Sequence, residues 1–326
     1  MSFDYFVAWW NLENLFDVEG SPRRTEKVAR ALGNSIVGWT PALLDQKVNQ
    51  LGSVIAQMNG GAGPELLGIC EVENEFVVDK LVADLDVRLP NRHYSKVHAD
   101  TQDQRGIDVA FVFDPQSFTA PVGEIFHHVV MRRTATRDIL QVNFTTHRGR
   151  TWSVFANHWP SRSGGAMESA GYRAIAGETL AYFHERAIAV HGDSTPVLAM
   201  GDFNDEPFDA SLVQYALSTR QRLKVVNGTS PRLWNLMWGQ AGATEGTFYF
   251  DEAPNVLDQF LVNKNMARQA SQIRALPETA GIIRFAGMTA TGDYPKPIPF
   301  GGMGKPVNQN GFSDHFPIGI VVREAD

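Results

Sequence analysis

Residues 196–204 read Pro-Val-Leu-Ala-Met-Gly-Asp-Phe-Asn. The apolar first half has the length and composition of a strand, and Gly201, Asp202 and Asn204 favour the turn that ends one. A carboxylate and an amide are thereby delivered at a strand's end. Alone, such a block is an ordinary turn; its weight comes from repetition. Glu71 ends Leu-Leu-Gly-Ile-Cys-Glu, and Asn157 and His158 end Trp-Ser-Val-Phe-Ala-Asn-His. Asp258 interrupts Val-Leu-Asp-Gln-Phe-Leu-Val, Ser313-Asp314-His315 open Phe-Pro-Ile-Gly-Ile-Val-Val, and Asn11 and Glu13 close the first strand. In layered α/β folds strand ends gather at sheet edges, where ligands are commonly held. Carboxylates, amides and two histidines gathered there suit a hard, oxygen-preferring cation such as Mg²⁺ or Mn²⁺.

Short apolar runs at 6–10, 66–70, 107–113, 151–156, 196–200, 256–262 and 316–322 predict strands. Residues 41–58 place Leu44, Val48, Leu51, Ile55 and Met58 at helical spacing; 168–190 form a second long helical candidate and 75–85 a shorter one. Segments 107–113, 118–130, 137–145 and 151–157 leave little room for helices between them, which predicts hairpins and a mixed sheet. No interdomain linker or short repeat is visible, so 1–326 is expected to form one domain. The least regular stretch, rich in Gly and Pro, runs from about 277 to 311 and is expected to be a long loop.

With 326 residues and 43 % hydrophobic content the chain can bury a large core, and no low-complexity tract points to disorder. Its 36 acidic and 29 basic residues leave a formal charge of -7, which argues against sequence-blind adhesion to nucleic acid. That balance does not exclude a nuclease, because metal-site carboxylates count as negative until the metal binds. Cys70 is the only cysteine, which excludes an intrachain disulfide and a thiolate-rich metal site. The first 17 residues carry Asp4, Glu13 and Asp17 and show no signal-peptide pattern, and no uncharged apolar run is long enough to cross a bilayer. A cytoplasmic protein without a membrane span is expected, and no obligate protein partner is readable.

The ordered blocks Trp10-Asn11-Leu12-Glu13-Asn14, Glu71, Asn157-His158-Trp159-Pro160, Gly201-Asp202-Phe203-Asn204, Leu257-Asp258-Gln259-Phe260 and Ser313-Asp314-His315-Phe316-Pro317 carry a resemblance. Together they resemble the endonuclease/exonuclease/phosphatase superfamily, which contains DNase I and the exonuclease III-type repair nucleases. The resemblance spans the chain nearly end to end, and its most specific parts are Gly-Asp-Phe-Asn and Ser-Asp-His. It implies a four-layer α/β sandwich, two packed mixed sheets flanked by helices, with the site at one edge. It also implies roles. Glu71 matches the metal-binding glutamate, Asn11 the asparagine beside it, and Asp314 a residue near the metal. Asp202 matches the aspartate that orients or deprotonates the attacking water, and Asn204 a contact to the phosphoryl group. His315 matches the histidine on the scissile phosphate, Asp258 the carboxylate that fixes its ring, and His158 a phosphate-stabilising position. The chemistry asks for such a set, because hydrolysing a phosphate ester builds negative charge that cations must face.

Further candidates are weaker. Arg105 and Asp108, in Arg-Gly-Ile-Asp before a strand, are expected along the same edge, and Asn157 and Arg162 are carried as phosphate-binding candidates. Thr247-Phe248-Tyr249-Phe250 is either core strand or a stacking surface. The Trp-Cys-Asp-Arg block of inositol-polyphosphate phosphatases is replaced by Leu257-Asp258-Gln259-Phe260, which counts against phosphoinositides. The leading expectation is a Mg²⁺- or Mn²⁺-dependent phosphodiesterase acting on DNA or RNA; Arg132, Arg133 and Arg137 with His147, Arg148 and Arg150 are either a solvated hairpin face or a local phosphate-binding ridge. The alternative is a phosphatase or phosphodiesterase of a small metabolite or lipid headgroup. A non-catalytic binding protein of the same fold is the third, opposed by the intact polar set.

Overall fold

Strand β1 (Phe3–Leu15) is apolar on both sides, and its alternate residues enter two different cores. Tyr5, Val7 and Trp9 face one hydrophobic cluster, whereas Ala8, Trp10 and Leu12 face another. That double burial already requires a layer on each side. The computed structural model describes residues 2–98, 100, 101, 103, 106–131 and 136–326.

The remaining strands of the first half are β2 (Leu66–Val72), β3 (Ser95–His98), β4 (Asp108–Phe113), β5 (Phe118–Thr119), β6 (Ile125–His128), β7 (Ile139–Thr146) and β8 (Thr151–His158). The second half adds β9 (Val197–Asp202), β10 (Ser218–Thr219), β11 (Leu233–Asn235), β12 (Phe248–Phe250), β13 (Ala253–Asn255), β14 (Asp258–Val262), β15 (Ile273–Ile282) and β16 (Ile318–Glu324). Helices are α1 (Glu26–Leu32), α2 (Pro41–Gly61), α3 (Glu75–Arg88), α4 (Ala166–His191), α5 (Arg222–Val226) and α6 (Lys264–Ala267).

One mixed sheet has the order β15-β16-β1-β2-β4-β3; the other runs β10-β11-β14-β9-β8-β7-β5, with β6 also on β7. Trp9, Phe111, Phe144, Val154, Met200 and Phe260 belong to the core between the two sheets. On the outer face of the first sheet, Leu44, Val48, Leu51 and Ile55 of α2 and Val78 and Leu81 of α3 pack with Trp10, Leu67 and Ile69. On the outer face of the second, Ala176 and Leu180 of α4 pack with Phe155, Val197 and Ala199. The result is the expected four-layer α/β sandwich. Helix α2 begins where its sequence says it should: Thr40 accepts the Leu43 amide hydrogen at 3.3 Å and Pro41 occupies the first turn.

Two expectations change. Segments 107–113 and 118–130 are not partners in a hairpin, because β4 pairs with β2 and β3 while β5 and β6 pair with β7 in the opposite sheet. The chain switches sheets after Phe113. The irregular stretch also starts later than 277, since 277–282 complete β15 against β16. No helix among the described residues is long and apolar enough to cross a membrane.

Candidate active site at the strand ends

Strand directions explain why distant motifs meet. Strands β1 and β2 are parallel, as are β8 and β9, whereas β16 is antiparallel to β1 and β14 to β9. The C-terminal ends of the first four therefore share an edge with the N-terminal ends of β14 and β16. Register does the rest. Asp202 pairs with His158 on one side and Asp258 on the other, while Asn11 pairs with Cys70, next to Glu71.

The backbone is irregular at this edge. The β1–β2 register shifts between Asn11 and Leu15, and the β2–β4 register shifts between Cys70 and Val72, so Glu71 sits in a bulge. Glu13, Asn14, Glu71 and Asn204 all have positive φ, at 50°, 58°, 63° and 52°. Non-glycine residues avoid that region, and such conformations cluster at functional sites. Gly201 is required by a close approach: a Cβ there would lie 2.3 Å from the Asn157 carbonyl oxygen.

At the centre, His315 Nδ1 is 2.7 Å from Asp258 Oδ2, and Trp9 Nε1 donates to Asp258 Oδ1 at 2.9 Å. Asp258 is thus held by an imidazole and an indole from the opposite sheet. Trp10 Nε1 donates to the His315 carbonyl at 2.8 Å, and the Ser313 hydroxyl accepts the His315 amide at 3.1 Å while donating to the Asn11 carbonyl at 2.7 Å. The ring's far nitrogen, Nε2, lies 3.9 Å from Asp202 Oδ2. Burial depresses the basicity of His315, but the charges of Asp258 and Asp202 and the hydrogen bond to Asp258 outweigh it and hold its pKa at about 10. Burial acts the other way on Asp202 and raises its pKa to about 7, with Asp258 adding to the rise and His315 opposing it. Asp202 accepts the Asn204 amide hydrogen at 2.9 Å and the Asn11 side-chain amide at 3.1 Å.

Across from this pair, His158 Nε2 lies 3.7 Å from Glu71 Oε1 and 3.8 Å from Asp202 Oδ2. Glu71 Oε2 accepts the Asn14 amide hydrogen at 2.9 Å. Asp202, Asp258 and His315 present ligand atoms within 4.8 Å of one another, a spacing that suits a cation. His315 Nδ1, however, is already engaged with Asp258. The other carboxylates expected at a metal are Glu71 and the half-buried Asp314, which lies 3.8 Å from Lys305 Nζ, while the Asn11 amide oxygen accepts the Glu13 amide hydrogen at 3.0 Å.

Sequence reasoning missed what stands behind that donor set. Glu13 Oε2 accepts the Phe300 and Gly301 amide hydrogens at 2.7 and 3.2 Å, which ties the 299–301 turn to the end of β1. Lys47 is fully buried and donates to the Glu13 carbonyl. Burial pushes Lys47 down to about 8 against the pull of Glu13, Asp314 and Glu71; it pushes Glu13 up, with Asp314 adding to the rise. A signal existed, because Lys47 interrupts the Leu44, Val48, Leu51 stripe of a helix that is otherwise buried on that face. Trp9 carried no such signal, since an indole gains its role only from a partner far away in sequence.

Other candidates sit elsewhere. Asn157 is fully buried on the framework side, accepting from Trp159 Nε1 at 3.0 Å and donating to backbone carbonyls, so it faces no ligand. Arg162 is taken up by the Asn204 carbonyl at 2.8 Å and by Asp205 and Asp209 at 3.2 and 2.7 Å. It braces the Asn204 loop rather than reaching phosphate. The Asn204 amide nitrogen donates to the Trp159 carbonyl at 3.0 Å. Asp108 lies beside His98, 3.4 Å away, rather than in the central cluster. Arg105, Arg132 and Arg133 fall outside the described residues. Arg137 is buried and donates to the Trp159 carbonyl at 2.8 Å, so it is not part of a surface ridge. Arg148 and Arg150 pair with Asp326 and Glu324 at the start of β8, the opposite edge from His158.

Comparison with known structures places this architecture. The chain is similar to an endonuclease/exonuclease/phosphatase family protein from Bacteroides thetaiotaomicron, at 14 % identity and a TM-score of 0.57, with 100 % of each chain covered. It is also similar to the mannosyl-6-phosphatase of Bacteroides thetaiotaomicron VPI-5482, at 17 % identity and a TM-score of 0.55, covering 98 % of this chain and 99 % of that one. Truncated Caenorhabditis elegans TDP2 aligns at 13 % identity and a TM-score of 0.54, covering 99 % and 98 %. Among curated proteins no sequence match is found. The family model described as Endonuclease/Exonuclease/phosphatase family matches residues 6–324, and with nearly the whole chain inside that match the protein belongs to this family.

Proposed function

We propose that this protein is a divalent-metal-dependent phosphoesterase whose reaction centre is the Asp202, His315 and Asp258 cluster. The observation that carries the reading is a buried histidine held by Asp258 at 2.7 Å with its free nitrogen turned to Asp202 at 3.9 Å. A cationic imidazole beside a carboxylate with pKa near 7 is a pair that can bind a phosphoryl oxygen and take a proton from water. Glu71, Asn11 and Asp314 would hold Mg²⁺ or Mn²⁺, which supplies positive charge to the phosphoryl oxygens when bound. Asp202 orients the attacking water and accepts its proton. His315, kept charged by Asp258, faces the phosphate, and His158 stands opposite between Glu71 and Asp202. Asn204, braced by Arg162, keeps the end of the Gly201–Asn204 turn in place.

For the substrate, a compact phosphate ester of a metabolite fits better than nucleic acid. The formal charge is -7, and the described arginines of the candidate ridge are buried or paired away from the site. The mannosyl-6-phosphatase among the structural neighbours supports the same reading. One observation favours nucleic acid as the second reading: the Phe248 ring lies 4.8 Å from His315, and Phe250 is 72 % exposed, a surface on which a base could stack. A panel of sugar phosphates, a monoester dye, a diester dye, plasmid DNA and RNA, each with EDTA or added Mg²⁺ or Mn²⁺, decides between them. Turnover is expected to vanish in EDTA and return with metal; full turnover after exhaustive chelation overturns the metal reading. Cleavage of DNA or RNA with inert sugar phosphates reverses the order of substrates.

A further inference from the structure

One group of titratable side chains plays no part in the proposed reaction. His98 ends β3, Asp108 begins β4, and the two strands are adjacent. With Asp100 they present three ligand atoms within 4.8 Å of one another. The His98 and Asp108 side chains are each 3 % exposed, whereas Asp100 is exposed and gives the group a way to solvent. His98 Nε2 is 3.4 Å from Asp108 Oδ2, yet it makes no hydrogen bond with any described residue. The other Asp108 oxygen is occupied, accepting the Thr101 amide hydrogen at 2.9 Å. A desolvated ring nitrogen that faces a carboxylate without bonding to it is a costly arrangement for a folded protein to keep.

The position adds to the case. Asp108 pairs with Val72, so the group lies at the same edge of the sandwich as Glu71, one strand further along. Burial lowers the basicity of His127, on β6 of the opposite sheet, and the charge of His98 lowers it further while Asp108 opposes. The catalytic cluster includes none of His98, Asp100 and Asp108.

We propose that His98, Asp100 and Asp108 form a second divalent-cation site that prefers a transition-type ion such as Mn²⁺, Co²⁺ or Zn²⁺ over Mg²⁺. The preference follows from the donors. An imidazole nitrogen suits first-row transition ions, whereas Mg²⁺ favours oxygen ligands and its own waters. The ion accepts the His98 Nε2 lone pair and neutralises Asp108 and Asp100, linking β3 to β4 next to the candidate active site.

Co²⁺ is the probe, measured by equilibrium dialysis and visible absorption of the intact protein in a large excess of Mg²⁺. The His98→Ala variant is expected to bind one equivalent fewer than the unaltered protein, and Glu71→Gln to retain that equivalent. Losing a group that only supports a metal ligand weakens binding about 10- to 100-fold, so Asp100→Asn should cost at least about tenfold in Co²⁺ affinity. Because Asp100 is exposed, that variant keeps the measurement decisive even if His98→Ala fails to fold. Absence of Co²⁺ binding over Mg²⁺ in the unaltered protein, or unchanged affinity in Asp100→Asn, overturns the site and leaves His98 and Asp108 as a plain ion pair.

Discussion

At the edge remote from the candidate site, Glu324 is fully buried at the end of β16, and three side chains donate to it. The Tyr5 hydroxyl is 2.5 Å away, the Thr146 hydroxyl 2.9 Å and Arg150 Nη1 2.9 Å. At the opposite edge, the ends of β2, β8 and β9 and the residues leading into β16 bring Glu71, His158, Asp202 and His315 to a cluster where the nitrogen to oxygen gaps are 3.7 to 3.9 Å. One edge closes its polar groups onto one another; the other keeps the tight His315–Asp258 pair but leaves the gaps from His158 to Glu71 and Asp202, and from His315 to Asp202, open. A satisfied buried network stabilises, whereas carboxylates held together without full pairing cost stability and are kept where a ligand completes them. The backbone repeats the contrast. Glu13, Asn14, Glu71 and Asn204 adopt positive φ at the open edge, while the β7–β8 turn at the closed edge meets that need with Gly149.

The comparison breaks first at Asp202. Asp202→Asn keeps the shape that receives the Asn204 amide hydrogen but removes the proton acceptor. Turnover of a dye ester is expected to fall roughly 10²- to 10⁴-fold with the melting temperature nearly unchanged. Retained turnover overturns the mechanism whichever substrate proves correct.

Asp258→Asn comes next. Asp258 and Asp202 hold His315 at about 10 against burial, so the imidazole stays charged through neutral pH and loses its proton only as pH rises through that value. With Asp258 neutral, the ring loses its largest supporting charge and its hydrogen bond to a carboxylate, and it deprotonates at lower pH. Turnover should drop by an order of magnitude or more, about 10²-fold, and the alkaline limb of the pH profile should move toward neutrality. The sign carries over to stability: the raised pKa contributes stability below the unfolded value near 6.5, lost as pH climbs toward 10. An alkaline limb in the variant that matches the unaltered protein would refute the pairing.

The strand ends were legible because their pattern is local. An apolar run followed by Gly-Asp-Phe-Asn shows both the strand and its polar terminus, and the structure places Asp202 at the end of β9. Helix α2 was legible for the same reason, through Leu44, Val48, Leu51 and Ile55 at one periodicity and Thr40-Pro41 at its start. What stayed hidden depends on contacts between sheets. Whether β5 follows β4 in a hairpin or crosses to the other sheet cannot be read from alternation, because both choices bury the same faces. Residues 277–282 hold glycine, proline and polar residues on an edge strand, where such residues are tolerated, so they read as loop. Arg162 looked like a phosphate ligand because a lone arginine in a loop shows its charge but not Asp205 and Asp209, which claim it.

A smaller effect is expected where the open edge meets the core. Gly68 lies beneath Trp9, and a Cβ there would sit 2.6 Å from the Trp9 ring and 3.0 Å from the Met200 methyl. Gly68→Ala must displace the indole whose nitrogen holds Asp258 at 2.9 Å. Overpacking of this kind costs about 1–3 kcal/mol, read as a lowered melting temperature. Turnover should fall severalfold through loosened Asp258. Unchanged kinetics would mean that the 2.7 Å bond to His315 is enough to hold that carboxylate.

The least effect on turnover belongs to the closed edge. Glu324→Gln keeps the size of the side chain and removes the charge that Arg150 and the two hydroxyls address. Hydrogen bonds to a charged acceptor contribute about 1.5–3 kcal/mol each, and a neutral amide still accepts some of them, so the expected loss of stability is about 1–3 kcal/mol. The route matters as much as the size. Burial and the Glu324 carboxylate together hold the Tyr5 hydroxyl well above its usual range, so Tyr5 remains a donor, and the amide nitrogen of glutamine offers it a second donor in place of an acceptor. Denaturant melts should register that mismatch while turnover below the transition stays as it was, since β1 and β16 reach the candidate site only after running the length of the sheet. Loss of turnover at temperatures where the variant is still folded would show that the two edges are coupled, and that the closed one sets the distances at the open one.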